Sequence, residues 1–234
     1  MPIAAERRAR RSLPHLVKRA FDVGFTSVAT LLLLPLACLV AVLIRLDSPG
    51  PALFRSIRIG KSGRRFVLYK FRSMVQRDKN RGASLTHRND PRVTRIGRIL
   101  RRTKFDEFPQ VINVLRGDMS IVGPRPEGEE YVALYSAEER EVLRMQPGLT
   151  SLAQVLYREE ESMLPEGEAE AIYVKEVLPR KLALDLYFVR NWTLALDFKV
   201  FVLGVLALLK LPIVRALWPR IDHHAGTCAP GRSE

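Results

Sequence analysis

Hydrophobic residues are spread unevenly along the chain, and the largest block, Val23 to Ile44, is a run of 22 residues without a charge. As a helix such a run measures ~33 Å at about 1.5 Å per residue, enough to cross the hydrocarbon core of a bilayer. The alternative is a buried core helix of a soluble protein, but uninterrupted apolar runs of this length read as membrane segments. No small-x-small cleavage pattern follows it, so a cleaved signal peptide fits poorly. Pro35 lies near the middle of the run, where it deletes a helical hydrogen bond and crowds the preceding turn, conditions that favour a bend. A second apolar stretch, Phe198 to Trp218, is broken by Lys199, Lys210, Pro212 and Arg215. Val200, Val202 to Val205, Leu208, Leu209 and Leu211 can share one greasy face with Trp218 at its boundary, which suits a helix lying in the interfacial plane or an ordinary packed helix.

Between these blocks the pattern shortens. Two extended segments, about Ala52 to Ile59 and Arg65 to Arg72, flank Gly60-Lys61-Ser62-Gly63, a hairpin signature. The Gly-Lys-Ser triplet is no P-loop, because Arg55 stands where the upstream glycine belongs and a strand follows. Asp90 and Pro91 are expected to open a helix on which Arg92, Arg95, Arg98 and Arg102 make a basic stripe. Asp106 is expected to cap a further helix, with Pro109 in its first turn and Gly117 ending it in the left-handed region. The expected fold is mainly α with a small β-hairpin. It divides into a basic, structure-poor arm (residues 1–14), a membrane helix (15–46), a main domain with an interfacial C-terminal helix (47–218) and a loose tail (219–234). The acidic stretches Glu138 to Glu141 and Glu159 to Glu161 are expected to be solvated.

Charge sharpens this picture. The net +13 conceals a split: residues 1–105 hold 24 Lys and Arg against 5 Asp and Glu, and the remainder holds 14 against 20. The basic half faces something anionic: a phosphate-bearing substrate, an anionic lipid surface or nucleic acid. Basic residues flank the apolar run on both sides, Arg7 to Arg19 before it and Arg45 to Arg72 after it. A spanning helix would put one set on the disfavoured face of the membrane. A re-entrant helix, entering and leaving on the cytoplasmic side with its bend at Pro35, removes that conflict. The apolar run also disfavours a nucleic-acid binder. Cys38 and Cys228 sit in unlike surroundings, so no disulfide framework is expected. His223 and His224 lack spaced partner ligands, so no zinc site is expected.

The segment richest in chemistry is Thr103-Lys104-Phe105-Asp106-Glu107-Phe108-Pro109-Gln110. Asp106 and Glu107 can simply stabilise a helix start through capping and the dipole. The same place, beside Arg101, Arg102 and Lys104, is expected to keep a carboxylate ionised and to attract phosphate, and an ionised carboxylate can attack phosphorus. Downstream, Arg125 stands between Pro124 and Pro126, a stiff loop suited to gripping phosphate bidentately.

With these residues the chain resembles the bacterial sugar transferases, the monotopic polyprenyl-phosphate hexose-1-phosphate (phosphoglycosyl) transferases. The resemblance rests on Lys18-Arg19-Ala20-Phe21-Asp22, Tyr69 to Met74, Asp106 to Gln110, Gly117 to Ser120 and Gly123 to Pro126. Pro147 to Thr150, Asp185-Leu186-Tyr187 and Asp197-Phe198-Lys199 continue it in the family's order, over about residues 15–210. It implies a re-entrant membrane helix carrying a catalytic domain on the cytoplasmic face of the bacterial inner membrane. Asp106 would be the nucleophile toward the β-phosphate of a UDP-sugar, releasing UMP and leaving a covalent phosphosugar for polyprenyl (undecaprenyl) phosphate to collect. Glu107 would assist, Mg²⁺ would bind at Asp106 and Glu107 with the diphosphate, and Lys70, Arg72, Arg101 and Arg125 would hold phosphate. Membrane phospholipid is the implied surroundings, a homodimer is compatible, and such enzymes open bacterial glycan pathways. The chain departs from the family at Leu34, where a serine often precedes the proline, and at Ser151 to Glu160, which lacks the glycine-rich pattern of some members. A reading of another class is a non-catalytic membrane scaffold, which Asp106→Asn should leave intact.

Overall fold

The computed structural model describes residues 2–75, 90–156 and 169–209, with side chains from Leu13 onward. The expected tail at 219–234, Trp218, the acidic stretch Glu159 to Glu161 and the paired histidines lie outside the described residues. The first element is a single long helix, α1 (Pro2–Asp47), with Pro14 and Pro35 inside it. It therefore begins within the segment expected to be a structure-poor arm, where Ala4, Ala5, Glu6, Arg7 and Arg8 are strong helix formers. From Leu13 to Asp47 it is long and apolar enough to cross a membrane.

Three side chains on one turn and a half of α1 fasten it to the rest of the molecule. The Lys18 ammonium sits 2.7 and 2.6 Å from the two carboxylate oxygens of Asp197. Arg19 donates to the carbonyls of Val114 and Leu115, and Asp22 accepts from the Ser120 hydroxyl at 2.7 Å and the Ile121 N–H at 3.2 Å. At the other end Ala37, Val40 and Ile44 pack against Phe71 and Leu100. Asp47 accepts the Ile96 N–H, and Arg72 donates to the Ile44 carbonyl in the last turn of the helix and to those of Ser48 and Pro49 just beyond it. Between the two attachments Leu31, Leu32, Leu34 and Leu36 point outward, Leu31 and Leu32 at 73% and 75% exposure.

The expected hairpin forms: β1 (Leu53–Ile59) pairs antiparallel with β2 (Arg65–Phe71), Leu53 opposite Phe71 and Ile59 opposite Arg65. Helix α2 (Arg95–Thr103) starts later than Asp90 and Pro91 predict. The Thr94 hydroxyl caps it by accepting the Gly97 N–H at 2.9 Å, whereas the Asp90 carboxylate is taken by the Arg92 guanidinium. Lys104, at φ 59°, closes α2, and a 3-10 turn (Phe105–Gln110) leads into α3 (Val111–Arg116). Gly117 ends α3 at φ 87°, the left-handed cap the sequence predicts.

The sequence reading contains no second sheet. A parallel pair forms between β3 (Ser120–Val122) and β4 (Gly148–Thr150). Its backbones approach so closely at the end of β3 that a Cβ on Gly148 would lie 2.1 Å from the Gly123 nitrogen, which is why glycine occupies both motifs there. Short helices α4 (Glu129–Val132), α5 (Leu152–Leu156) and α6 (Ala169–Ile172) follow, the last running through one π turn into α7 (Leu178–Arg190) and then α8 (Leu194–Leu208). One core joins Leu68, Val114, Met119, Ile121, Leu152, Leu184, Phe188 and Val200; a second gathers Tyr131, Tyr135, Tyr173 and Leu182. Helix α8 buries Val200, Leu203 and Ala207, and its outer face is also apolar, with Phe198, Val205, Leu208 and Leu209 exposed. The fold is mostly helical with two small sheets.

Candidate active site

The 3-10 turn between α2 and α3 brings Asp106 and Glu107 side by side under β2, both 8% exposed. Asp106 does not cap a helix as predicted, because α2 ends on the left-handed Lys104 and the tighter turn intervenes before α3 starts. Glu107 is fully engaged. Lys70 on β2 reaches its Oε1 at 2.9 Å, Arg125 takes Oε1 at 2.5 Å and Oε2 at 3.1 Å, and the Gln154 amide donates to Oε2 at 3.3 Å. Asp106 is the opposite case: its Oδ1 is buried with no hydrogen-bond partner. Gln110, one turn further, is fully buried with both amide atoms unpartnered.

The electrostatics of the two carboxylates diverge accordingly. Burial alone would push Glu107 up, but the charges and hydrogen bonds of Arg125 and Lys70 overrule it and hold the group well below the usual carboxylate range. For Asp106 burial wins. Lys70, Lys104 and Arg101 pull its carboxyl down, Glu107 pushes it up, and the balance lies above the ordinary value. The sequence places a helix start and neighbouring cations beside this carboxylate, and burial, which opposes them, is what the fold adds. Four cations, Lys70, Arg101, Lys104 and Arg125, thus surround two carboxylates, leaving a surplus of positive charge that matches the two negative charges of a diphosphate diester.

Of the predicted site residues, Lys70, Arg101, Asp106, Glu107 and Arg125 converge. Arg72 stands apart: 2% exposed, its guanidinium is spent on the carbonyls at the end of α1. Pro35 lies within α1, between its two attachments to the domain. Gln154, which the sequence reading did not single out, touches both Glu107 and Arg125, the latter at 3.4 Å. It projects from the first turn of α5, where Ser151 accepts its N–H. Asp185, which in the sequence is one residue of a longer motif, accepts the Arg125 main-chain N–H at 2.9 Å. An uncharged amide gives no signal of its own in a sequence.

A divalent cation is compatible with these residues. Among the described residues no cluster of three or more His, Cys, Asp or Glu is poised for a metal, but Mg²⁺ commonly takes one or two carboxylates and completes its shell with substrate phosphates and water. The orphaned Asp106 Oδ1 is a carboxylate oxygen of that kind.

Comparison with known proteins identifies the family. The family described as "Bacterial sugar transferase" matches residues 13–211. The undecaprenyl-phosphate glucose phosphotransferase of Komagataeibacter xylinus is 42% identical over 207 residues, 86% of this chain and 37% of that protein. A UDP-glucose:undecaprenyl-phosphate glucose-1-phosphate transferase of Caulobacter vibrioides is 41% identical over 195 residues, 82% of this chain and 69% of its own length. The exopolysaccharide production protein PSS of Rhizobium leguminosarum bv. phaseoli is 42% identical over 195 residues, 79% of this chain and 90% of its own. The chain thus spans little more than a third of the first of these relatives and most of the last. With a match that runs from the foot of the apolar helix to the end of α8, the chain belongs to the bacterial sugar transferase family.

Proposed function

We propose that the protein transfers a sugar 1-phosphate from a UDP-sugar to undecaprenyl phosphate, with Asp106 as the nucleophile. The observation that carries this is the asymmetry of the carboxylate pair: Glu107 is locked by Lys70, Arg125 and Gln154, while Asp106 keeps a buried oxygen without a partner. In the first half-reaction an Asp106 oxygen forms a bond to the β-phosphorus, the bond from that phosphorus to the bridging oxygen breaks, and UMP leaves with the electron pair. In the second, a phosphate oxygen of the polyprenyl acceptor attacks the same phosphorus and Asp106 is released as carboxylate. Arg125, Lys70 and Arg101 oppose the charge that develops on the phosphoryl oxygens. Asp106 would hold Mg²⁺ together with the diphosphate, Glu107 joining it only by giving up a bond to Lys70, Arg125 or Gln154, and the ion when bound would supply positive charge against the phosphate oxygens. Burial that raises the Asp106 carboxyl also strips water from it, which favours attack over hydrolysis of the ester.

The apolar helix is read here as re-entrant. Lys18, Arg19 and Asp22 at one end of the run and Ile44 and Asp47 at the other are bound to the same domain. A domain on one face of a membrane holds both ends on that face, and the exposed leucines between them are the part left to enter lipid. The basic residues on both flanks favour the cytoplasmic face of the inner membrane for this domain.

The test is direct. The full-length protein is incubated with UDP-glucose and Mg²⁺ but no acceptor and weighed intact. A mass increase of one hexose phosphate that is absent in Asp106→Asn is expected. Turnover at a normal rate with no adduct under any quench, or UMP release by Asp106→Asn, would refute Asp106 as nucleophile.

A further inference from the structure

A second set of ionisable groups, to which the proposed chemistry gives no task, is packed against the loop that carries Arg125. On α7 Asp185 accepts the main-chain N–H of Arg125 at 2.9 Å through Oδ2, while its Oδ1 is buried without a hydrogen-bond partner. One turn earlier, Lys181 reaches Glu127 at 3.1 Å and the Tyr173 hydroxyl at 3.0 Å, and that hydroxyl donates to Glu127 at 2.8 Å. All four side chains are buried, Tyr173 at 1% and Glu127 at 8% exposure. Buried ionic groups of this kind seldom add net stability over apolar packing of the same volume, so their use here calls for another explanation.

The loop itself supplies one. Gly123 donates its N–H to Thr150, Pro124 accepts from Gly148, Arg125 donates to Asp185, and Glu127 accepts from Ile59. Two prolines fix φ on either side of Arg125. With the main chain held at each of these points, the Arg125 side chain is what projects, to Glu107 and Gln154. Asp185 ties the main chain at Arg125 to α7.

We infer that Asp185, backed by Lys181, Glu127 and Tyr173, is the positioning residue that aims Arg125 at the donor diphosphate, acting through the main chain without touching substrate. The inference rests on the donor site proposed above. It follows that an acceptor oxygen at position 185 is what matters: a carboxamide can still receive the Arg125 N–H, and a methyl group cannot. Misplacing a charged group by about an ångström costs on the order of 10- to 100-fold in rate.

The full-length enzyme in nanodiscs tests this with Asp185→Asn, Asp185→Ala, Arg125→Ala, Asp185→Ala/Arg125→Ala and Tyr173→Phe, each measured for donor KM, kcat and melting temperature. Donor KM does not depend on the fraction of enzyme that is folded, so a purely structural loss leaves it unchanged. Expected are a fall in donor kcat/KM of roughly 10- to 100-fold with raised donor KM for Asp185→Ala, and recovery to within about threefold for Asp185→Asn. Asp185→Ala should add nothing on the Arg125→Ala background. If Asp185→Ala does not fold, Tyr173→Phe, which removes one hydroxyl from the same cluster, should still raise donor KM by roughly two- to fivefold. Additive effects of Asp185→Ala and Arg125→Ala, or an unchanged donor KM in both Asp185→Ala and Tyr173→Phe, overturn the positioning role while leaving the donor site standing. An unchanged donor KM in Arg125→Ala overturns the donor-site assignment of Arg125 and the positioning role together.

Discussion

Lys18→Met isolates the strongest of the ties between the apolar helix and the domain. The Lys18 and Asp197 side chains are 7% and 9% exposed, and the ammonium reaches both carboxylate oxygens. Removing it strands a buried carboxylate whose Oδ1 keeps the Trp192 indole N–H at 3.0 Å and whose Oδ2 keeps nothing in its place. Breaking one side of a buried pair costs about 3–5 kcal/mol; the surviving indole bond puts this case at the lower end, about 3 kcal/mol. At about 2–4 °C per kcal/mol for a domain of this size, the melting temperature should fall by roughly 6–12 °C. Intrinsic-fluorescence melting in detergent, followed at Trp192, measures it. Lys18→Met/Asp197→Leu, which removes both charges, should recover most of the loss, because an apolar pair of similar volume is often as stable as a buried ion pair. A single variant that melts within about 2 °C of the wild type, or a double variant as unstable as the single, refutes the reasoning.

Other consequences can be measured on the same preparations. Burial pushes the Asp185 carboxyl from an ordinary 3.8 to about 7, against the Arg125 N–H and Lys181 and with Glu127. The folded state therefore holds this proton more tightly than the unfolded state, and the contribution is full below pH 3.8 and lost as pH rises toward about 7. Asp185→Asn should gain stability relative to the wild type across that window and stay level above it; a flat difference in pH-dependent melting contradicts this. Arg72→Met should cost about 2–4 kcal/mol by orphaning the carbonyls at the end of α1, read in urea unfolding. A raised donor KM with unchanged stability would instead return Arg72 to the phosphate site. Gly148→Ala drives a methyl onto the Gly123 backbone and should destabilise by at least about 1–3 kcal/mol; an unperturbed melting curve would refute the close approach.

How far the sequence reached depended on the range of the interaction. The hairpin at Gly60 to Gly63 and the left-handed cap at Gly117 were legible because local backbone chemistry decides them. Lys70, Asp106, Glu107 and Arg125 were legible as chemistry because charged residues beside prolines and helix ends are conspicuous. Arg72 was not separable from Lys70: two residues apart, they would share a strand face, but β2 stops at Phe71 and the next side chain turns under α1. The β3–β4 pair joins two three-residue segments far apart in the chain, too short to show a period. The raised Asp106 carboxyl depends on burial depth, which a list of neighbouring cations does not contain. Gln154 and Asp185 became visible only when folding brought them to Arg125.

The fastening of Lys18, Arg19 and Asp22 has a practical side for anyone wishing to work without lipid. Cutting the chain after the apolar segment would not yield a smaller soluble enzyme. It would leave Asp197 without its ammonium, the end of α3 without its guanidinium, and Ser120 and Ile121 without their acceptor. The apolar helix is rooted in the interior, so a more soluble variant has to begin by redesigning its exposed leucines and keeping its foot.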